Sequence, residues 1–158
     1  WHTVAGLSHV TSRIIIVTGH YHNEIAELFS DRENCLVVHN ACYPQGMFTS
    51  VKRGVREVIS DFFVLPGDYP LINEGTYRLL LSGTKDVRVP VFNGRGGHPV
   101  FFSYNLKEPL LEEPNDSNLK IFRDRFDIEF IETGDKGVVT DVDTLKDFFN
   151  IEDIYKKG

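Results

Sequence analysis

The sequence predicts an α/β fold with a mostly parallel sheet. Short apolar or β-branched runs alternate with segments whose apolar residues recur at helical spacing, a pattern typical of strands joined by crossover helices. The first run, at 13–17, is almost wholly β-branched, as expected of a strand buried in a parallel sheet. The 158 residues suffice for one domain with a core. Because no linker, repeat or low-complexity tract divides them, we predict a single domain over 1–158.

Apolar spacing assigns each element in the first half of the chain. The predicted elements are, in order, a helix ending near residue 10, a strand at 13–17, a helix at 23–29, a strand at 35–39, a helix through 51–58 and a strand at 61–65. A loop containing Pro44 precedes the third helix, and Thr49 or Ser50 is expected to cap it. The last of these strands runs directly into a segment rich in Pro and Gly.

The second half continues the alternation. The predicted elements are a helix at 74–81, strands at 87–92 and 100–102, helices at 106–111 and 119–126, a strand at 128–132 and a helix from Asp141 to Phe149. Pro90 predicts a bend or a sheet edge, because proline cannot donate to a strand ladder. The Gly-rich segment at 93–99 predicts a tight turn between two strands.

Composition and charge exclude several functional classes. The net charge is −6, and the Lys and Arg residues are scattered, which argues against a general binder of nucleic acid or membrane surfaces. No apolar run approaches the roughly 18 residues of a membrane span. Two cysteines, Cys35 and Cys42, are too few for a disulfide scaffold or a four-cysteine zinc site. The expected compartment is therefore a reducing cytoplasm.

The start of the chain carries its own expectation. The sequence begins at Trp1, and its single methionine is Met47. We therefore expect that a segment precedes Trp1, and the predicted domain is treated as N-terminally incomplete.

Candidate site residues lie where predicted strands end. In parallel sheets a ligand crevice forms outside the carboxyl ends of the strands. This rule selects residues at or near strand ends, namely Thr18-Gly19-His20, Asn40, Gly67-Asp68 and the turn from Gly94 to His98. Asp68 is the strongest candidate, since a carboxylate there faces the crevice and Mg²⁺ in proteins is commonly held by one or two carboxylates plus substrate phosphates. The alternative is an aspartate that only forms a turn or caps a helix.

Three further segments are candidates with structural alternatives. Asp143 would belong to the site if it lay near Asp68, and otherwise it caps the last helix. Gly97 and His98 lie in the Gly-rich turn, which allows a close approach to a ligand or serves only as a turn. The segment Gly46–Ser50, which includes Met47, opens a helix whose free N–H groups suit an anion or a base edge, or are merely capped.

Six segments, read together, resemble the MobA-like nucleotidyltransferases, and within them the molybdenum cofactor cytidylyltransferases. They are Ile-Val-Thr-Gly-His (16–20), Val-Val-His-Asn (37–40), Gly-Met-Phe-Thr-Ser (46–50), Leu-Pro-Gly-Asp-Tyr-Pro-Leu-Ile (65–72), Gly-Arg-Gly-Gly-His-Pro-Val (94–100) and Asp-Val-Asp-Thr (141–144). The resemblance implies a Rossmann-like three-layer α/β/α sandwich that lacks its first strand. A Gly-rich triphosphate loop that opens family members is expected in front of Trp1.

The resemblance also implies roles for these residues. Asp68 and Asp143 would be the catalytic and metal-binding pair and would hold Mg²⁺. The nucleotide would lie against the strand-end and helix-start residues Thr18, Gly19, Asn40, Gly46, Met47, Ser50 and Gly67. Gly97, His98 and Pro99 would line the acceptor side. A Gly-His-Pro turn, which guanylyltransferases of the family usually lack, favours CTP over GTP.

The implied function is Mg²⁺-dependent nucleotidyl transfer from an NTP, with CTP favoured, to a phosphate-bearing acceptor such as the molybdopterin cofactor, with release of pyrophosphate. Possible protein partners are a molybdoenzyme or its chaperone. Two alternatives stay open at this point. One is a non-catalytic nucleotide-binding module that serves molybdoenzyme maturation, and the other is a nucleotidyltransferase for a sugar phosphate or an isoprenoid precursor.

Overall fold

The computed structural model describes residues 2–142 of the chain. Asp143 and nearly all of the helix predicted from Asp141 lie outside the described residues. Within them the strands are β1 (Ile14–Thr18), β2 (Cys35–His39), β3 (Phe62–Val64), β4 (Val87–Phe92), β5 (Arg95–Gly96), β6 (Val100–Phe102) and β7 (Ile128–Glu132). The α-helices are α1 (His2–Leu7), α2 (His22–Leu28), α3 (Met47–Val55), α4 (Glu74–Ser82), α5 (Lys107–Glu112) and α6 (Leu119–Arg123). No described helix is long and apolar enough to cross a bilayer.

The strands form two sheets. β1 and β2 pair in parallel through five residues each, and the second sheet has the order β3-β6-β4-β5, with β7 also paired to β4. The β4–β7 ladder is parallel and five residues long, whereas the shorter β3–β6, β4–β6 and β4–β5 ladders are antiparallel. The α/β class is confirmed. The expected parallel pairing holds for the two long ladders, and the second sheet is mixed.

The antiparallel pairing of β4 with β5 follows from the two-residue loop that joins them. Asn93 and Gly94 both have positive φ, at 50° and 75°, and they join the paired residues Phe92 and Arg95. An Asn-Gly pair with positive φ is the preferred two-residue hairpin loop. Since a two-residue loop reverses the chain, β5 must run antiparallel to β4.

The expectation that Pro90 marks a sheet edge is wrong. β4 is an interior strand, with β7 along one side and β6 and β5 along the other. On the second side β6 pairs with Val87 and Arg88, and β5 pairs only from Val91 onward. Pro90 lies between these two ladders, so its missing N–H breaks neither of them.

Two hydrophobic clusters cover opposite faces of the second sheet. Phe62 and Val64 of β3 pack into a cluster with residues of α3, α5 and α6. Phe63, between them in sequence, packs into a cluster with Tyr77 of α4 and Leu7 of α1. Because successive strand residues point to opposite faces, this alternation places helices on both sides of the sheet. The predicted three-layer α/β/α arrangement is therefore present.

The predicted cap of α3 is also wrong. The N-cap is Gly46, with φ 115°, and the helix begins at Met47. Thr49 lies inside the first turn, where its hydroxyl donates to the carbonyl oxygens of Gly46 (2.8 Å) and Cys42 (3.1 Å). A positive φ favours glycine, so the chain turns into the helix three residues earlier than the side chains suggested.

Candidate active site

The pairing of β3 with β6 brings two predicted site segments to one edge of the sheet. Val64, the last residue of β3, pairs with Val100, the first residue of β6. Asp68 follows β3 by four residues and His98 precedes β6 by two, so both lie beyond the same end of this ladder. The sequence placed Asp68 and His98 in one crevice, and the antiparallel register supplies the reason for their proximity.

Asp68 has a buried oxygen without a partner. Its Oδ1 atom is buried and accepts no hydrogen bond in the described part of the chain. By contrast, Asp135 is a structural carboxylate, whose oxygens accept hydrogen bonds from Asn73 N (2.8 Å), Thr76 Oγ1 (2.7 Å) and Gly137 N (2.8 Å). Since buried polar atoms are nearly always paired, Asp68 is the carboxylate best placed to bind a cation or a donor from a ligand.

His98 is the second side chain with an unpartnered buried atom, Nδ1. Its ring packs edge-on against Tyr69, with the centroids 4.8 Å apart. Burial lowers the pKa of His98, Arg123 lowers it further, and the Asp68 carboxylate opposes both by raising it. The lowered pKa favours a neutral imidazole at neutral pH, which presents one donor and one acceptor nitrogen.

Gly97 is required by packing. A Cβ atom there would collide with the carbonyl group of Val138. The Gly97 amide donates to Pro90 O and the His98 amide donates to Val138 O, both at 2.8 Å. The peptide bond between His98 and Pro99 is cis. The close approach predicted for the Gly-rich turn is therefore made to the chain's own backbone, and this approach positions His98.

Two backbone contacts hold the loop that carries Asp68. The amide of Val142 donates to Asp68 O at 2.9 Å, and the hydroxyl of Thr3 donates to Gly67 O at 2.7 Å. Val142 immediately precedes Asp143 in sequence, while Asp143 itself lies outside the described residues. Tyr69, Val138 and Val142 were not among the predicted site residues. Tyr69 adjoins Asp68 and Val142 adjoins Asp143 within the quoted segments, whereas nothing in the sequence signalled Val138.

The predicted nucleotide side is built around Asn40, which follows β2. Its Nδ2 donates to Thr49 Oγ1 and Ser50 Oγ, each at 2.9 Å, and its Oδ1 accepts from Cys42 N at 3.0 Å. Both donor hydrogens are thus used within the protein. Asn40 fixes the start of α3, where Gly46 is the N-cap and Met47 is 73% exposed.

β1 ends at Thr18 and is followed by Gly19, and both residues lie beside histidine and tyrosine rings. Thr18 Oγ1 lies 2.7 Å from His22 Nδ1, and the His22 ring lies 4.8 Å from that of His39. A Cβ atom on Gly19 would meet the Tyr43 ring at 2.6 Å. Within residues 2–142 no group of three His, Cys, Asp or Glu side chains could hold a metal ion, so Asp68 would need a further ligand from elsewhere.

Comparisons with known proteins show the family of this chain. A family model described as the MobA-like NTP transferase domain matches residues 1–128. This chain belongs to the MobA-like NTP transferase family. A curated relative, the molybdenum cofactor cytidylyltransferase of Escherichia coli (strain K12), is 33% identical over 149 residues, which cover 91% of this chain and 76% of the relative. The chain is therefore a nucleotidyltransferase of the MobA-like family.

Solved structures share the fold at lower identity. A nucleotidyl transferase from Methanothermobacter thermautotroptrophicus has a TM-score of 0.77 at 22% identity, covering 99% of this chain and 79% of its own. A 4-diphosphocytidyl-2C-methyl-D-erythritol synthase from Anaerococcus prevotii DSM 20548 has a TM-score of 0.74 at 12% identity, with coverages of 98% and 87%. Rv0371C of Mycobacterium tuberculosis H37Rv, in complex with manganese, has a TM-score of 0.74 at 18% identity, covering 95% of this chain and 83% of its own. At these identities the likeness shows the Rossmann-like fold of this MobA-like protein.

Proposed function

We propose that this MobA-like protein transfers a cytidylyl group from CTP to a phosphate on a molybdopterin-type acceptor, with release of pyrophosphate. The observation that carries the proposal is the buried, unpartnered Oδ1 of Asp68 beside His98. The identity of 33% to a molybdenum cofactor cytidylyltransferase supports the choice of nucleotide and acceptor. A molybdoenzyme or its chaperone would receive the product, and the expected compartment is the cytoplasm.

Asp68 fits a divalent cation, and we propose Mg²⁺ with Asp143 as a second ligand. The buried oxygen accepts no hydrogen bond from the described residues, and hard cations prefer carboxylate oxygens. Manganese in a complex of a protein of the same fold is compatible with such a site. When bound, the ion would neutralise charge on the triphosphate and the leaving pyrophosphate.

The chain's own residues would orient the two substrates. The acceptor phosphate attacks the α-phosphorus of CTP in line and pyrophosphate leaves, so the main demand on the protein is positioning. The segment from Gly46 to Ser50, with Thr18, Gly19, Asn40 and Gly67, would hold the nucleotide. Gly97, His98 and Pro99 would hold the acceptor, where the neutral His98 ring can donate or accept one hydrogen bond.

The decisive test is pyrophosphate release with each NTP, with and without molybdopterin-type acceptors and Mg²⁺. We expect turnover only with CTP, acceptor and Mg²⁺ together. The variant Asp68→Asn should lose at least about a hundredfold in kcat, the order expected when a group stabilising transition-state charge is removed. The matched control Asp116→Asn changes an exposed aspartate and should keep full activity.

Each other outcome would change the proposal. Full activity of Asp68→Asn, with the far-ultraviolet spectrum and melting temperature retained, would overturn the metal assignment. Turnover only with a sugar phosphate or an isoprenoid precursor would replace the acceptor. Nucleotide binding without turnover under every condition would favour a non-catalytic module.

A further inference from the structure

A small polar cleft lies beside α3 and is not lined by Asp68. It has a volume of about 70 Å³, comparable to the space that about two water molecules take in the liquid. It is lined by Asn40, Cys42, Thr49, Lys52, Arg53, Arg56 and Asn115. We call it the α3 cleft. No acidic side chain lines it, although the whole chain carries a net charge of −6.

Two of the three cations in the α3 cleft form no ion pair with a carboxylate of the described residues. Arg53 is neutralised by Glu57 at 2.6 Å. Lys52 Nζ donates to neutral acceptors, the Glu113 carbonyl at 2.6 Å and Asn115 Oδ1 at 2.9 Å. Arg56 is exposed, and among residues 2–142 no carboxylate forms an ion pair with Lys52 or Arg56.

The carboxylate of Glu113, on which the charge of Lys52 acts, accepts its hydrogen bonds from other side chains. The Glu113 side chain is 4% exposed, and its oxygens accept hydrogen bonds from Arg125 Nη1 and Nη2 and from Ser117 Oγ at 2.6, 2.6 and 2.7 Å. The segment from Glu113 to Ser117 is thereby anchored, and it presents a carbonyl and an amide oxygen to Lys52. Lys52 is held in place by hydrogen bonds to neutral acceptors, and its charge acts on a Glu113 carboxylate that already pairs with Arg125. The cost of ordering its long side chain is therefore met before any ligand arrives.

We infer that the α3 cleft binds the phosphate group of a small phosphorylated molecule. The volume suits a single tetrahedral oxyanion, and Lys52 and Arg56 supply charge-assisted donors for its oxygens. Thr49 connects the cleft to the start of α3, because its hydroxyl donates to Gly46 O and accepts from Asn40. Asp68 does not line the cleft, and Lys52 and Arg56 have no part in the proposed transfer reaction, although Asn40 and Thr49 at the cleft wall also belong to the proposed nucleotide side.

Titration calorimetry with inorganic phosphate tests this inference. The protein is kept in EDTA and low salt, so that no metal-dependent binding contributes. Wild type should bind one phosphate, and Arg56→Gln and Lys52→Gln should each weaken it by about tenfold or more, as expected when a charged hydrogen bond is lost. The control Arg78→Gln removes the same charge from α4 and should bind as wild type does. Asp68→Asn should also bind normally, which separates this site from the proposed metal site.

Cys42 provides a second, local measurement. It is exposed and lines the cleft, whereas Cys35 is half-buried and does not. Phosphate should slow the alkylation of Cys42, measured by peptide mass spectrometry, and should leave the rate at Cys35 unchanged. Absence of binding to wild type, equal losses of affinity in Arg78→Gln and Arg56→Gln, or no protection of Cys42 would each overturn the inference.

Discussion

Two buried atoms without hydrogen-bond partners, Asp68 Oδ1 and His98 Nδ1, distinguish the candidate active site from the rest of the described chain. A buried polar group left unpaired costs about 1–3 kcal/mol. That cost persists in a folded protein only where something offsets it, and a ligand that contacts both atoms would do so. This cost is a physical reason to expect that a ligand binds at these two atoms.

The lowered pKa of His98 makes stability depend on pH. The unfolded chain takes up a proton on His98 near the ordinary value of 6.5, while burial in the folded protein holds the pKa lower. Between these two values the unfolded state binds more protons, so stability falls as the pH falls below about 6.5. In His98→Gln this part of the pH dependence should disappear. Urea midpoints between pH 5 and 8, measured in EDTA for both proteins, check the slope.

Two further measurements complete this test. His9→Gln, which changes an exposed histidine, should keep the wild-type slope and serves as the control. Equal slopes in wild type and His98→Gln would show that His98 titrates as it does in the unfolded chain.

For individual residues, the sequence predicted where a side chain lies better than what the side chain does. Asp68 and His98 were selected because they lie beside strand ends, and the structure places both at one edge of the sheet. Asn40 was selected for the same reason, yet its amide hydrogens are spent on Thr49 and Ser50. Such a role depends on three segments meeting in space, which a strand-end rule cannot show.

Among the elements, boundaries were most predictable where periodicity and turn chemistry agreed. β2, β4, β6 and β7 begin and end at the predicted residues, because apolar runs are bounded by Gly, Pro or polar residues. The start of α3 was misplaced because Thr49 and Ser50 resemble capping residues, while Gly46 adopts the positive φ that starts the helix. In the sequence, the only sign of this positive φ angle is the glycine that adopts it.

The hydrogen bonds of Asn40 predict a measurable effect on α3. Asn40→Ala removes two hydrogen-bond donors and the acceptor of the Cys42 amide. The free energy of unfolding should therefore fall by about 1–3 kcal/mol. Chemical denaturation at neutral pH measures this loss.

Asn73→Ala is the matched control for this element. Asn73 is the N-cap residue of α4, and its side chain makes no capping hydrogen bond. The control should change the free energy of unfolding by less than about 0.5 kcal/mol. Equal effects of the two substitutions would contradict the role given to Asn40.

For the whole molecule, the sequence pattern predicted the α/β class and the resemblance to the nucleotidyltransferases implied the layers, but neither predicted the mixed second sheet. Alternating strands and helices suggest crossovers, and crossovers imply parallel pairing. The hairpin at Asn93-Gly94 reverses the chain instead, and β6 returns to pair with β3. The turn itself was identified, but strand order depends on long-range packing. Pro90 could be interior only because two ladders end on either side of it.

Glu113 connects distant parts of the molecule and gives the last prediction. Its carboxylate binds Arg125, between α6 and β7, and its carbonyl accepts from Lys52 of α3. The hydrogen bond from Ser117 is the main cause that holds the pKa of Glu113 below its ordinary value of 4.5. The hydrogen bond and the charge of Arg125 lower this pKa further, while burial opposes these effects. The ionised form therefore stabilises the fold at neutral pH, and this contribution is lost as the pH falls through the lowered pKa.

Glu113→Gln should lower the melting temperature at pH 7, and its difference from wild type should shrink in acid. Glu112→Gln, an exposed neighbour, should melt as wild type does at pH 7. A Glu113→Gln deficit that stayed constant down to the acid limit of folding would assign the effect to packing, because a charge contribution must vanish once wild-type Glu113 is protonated.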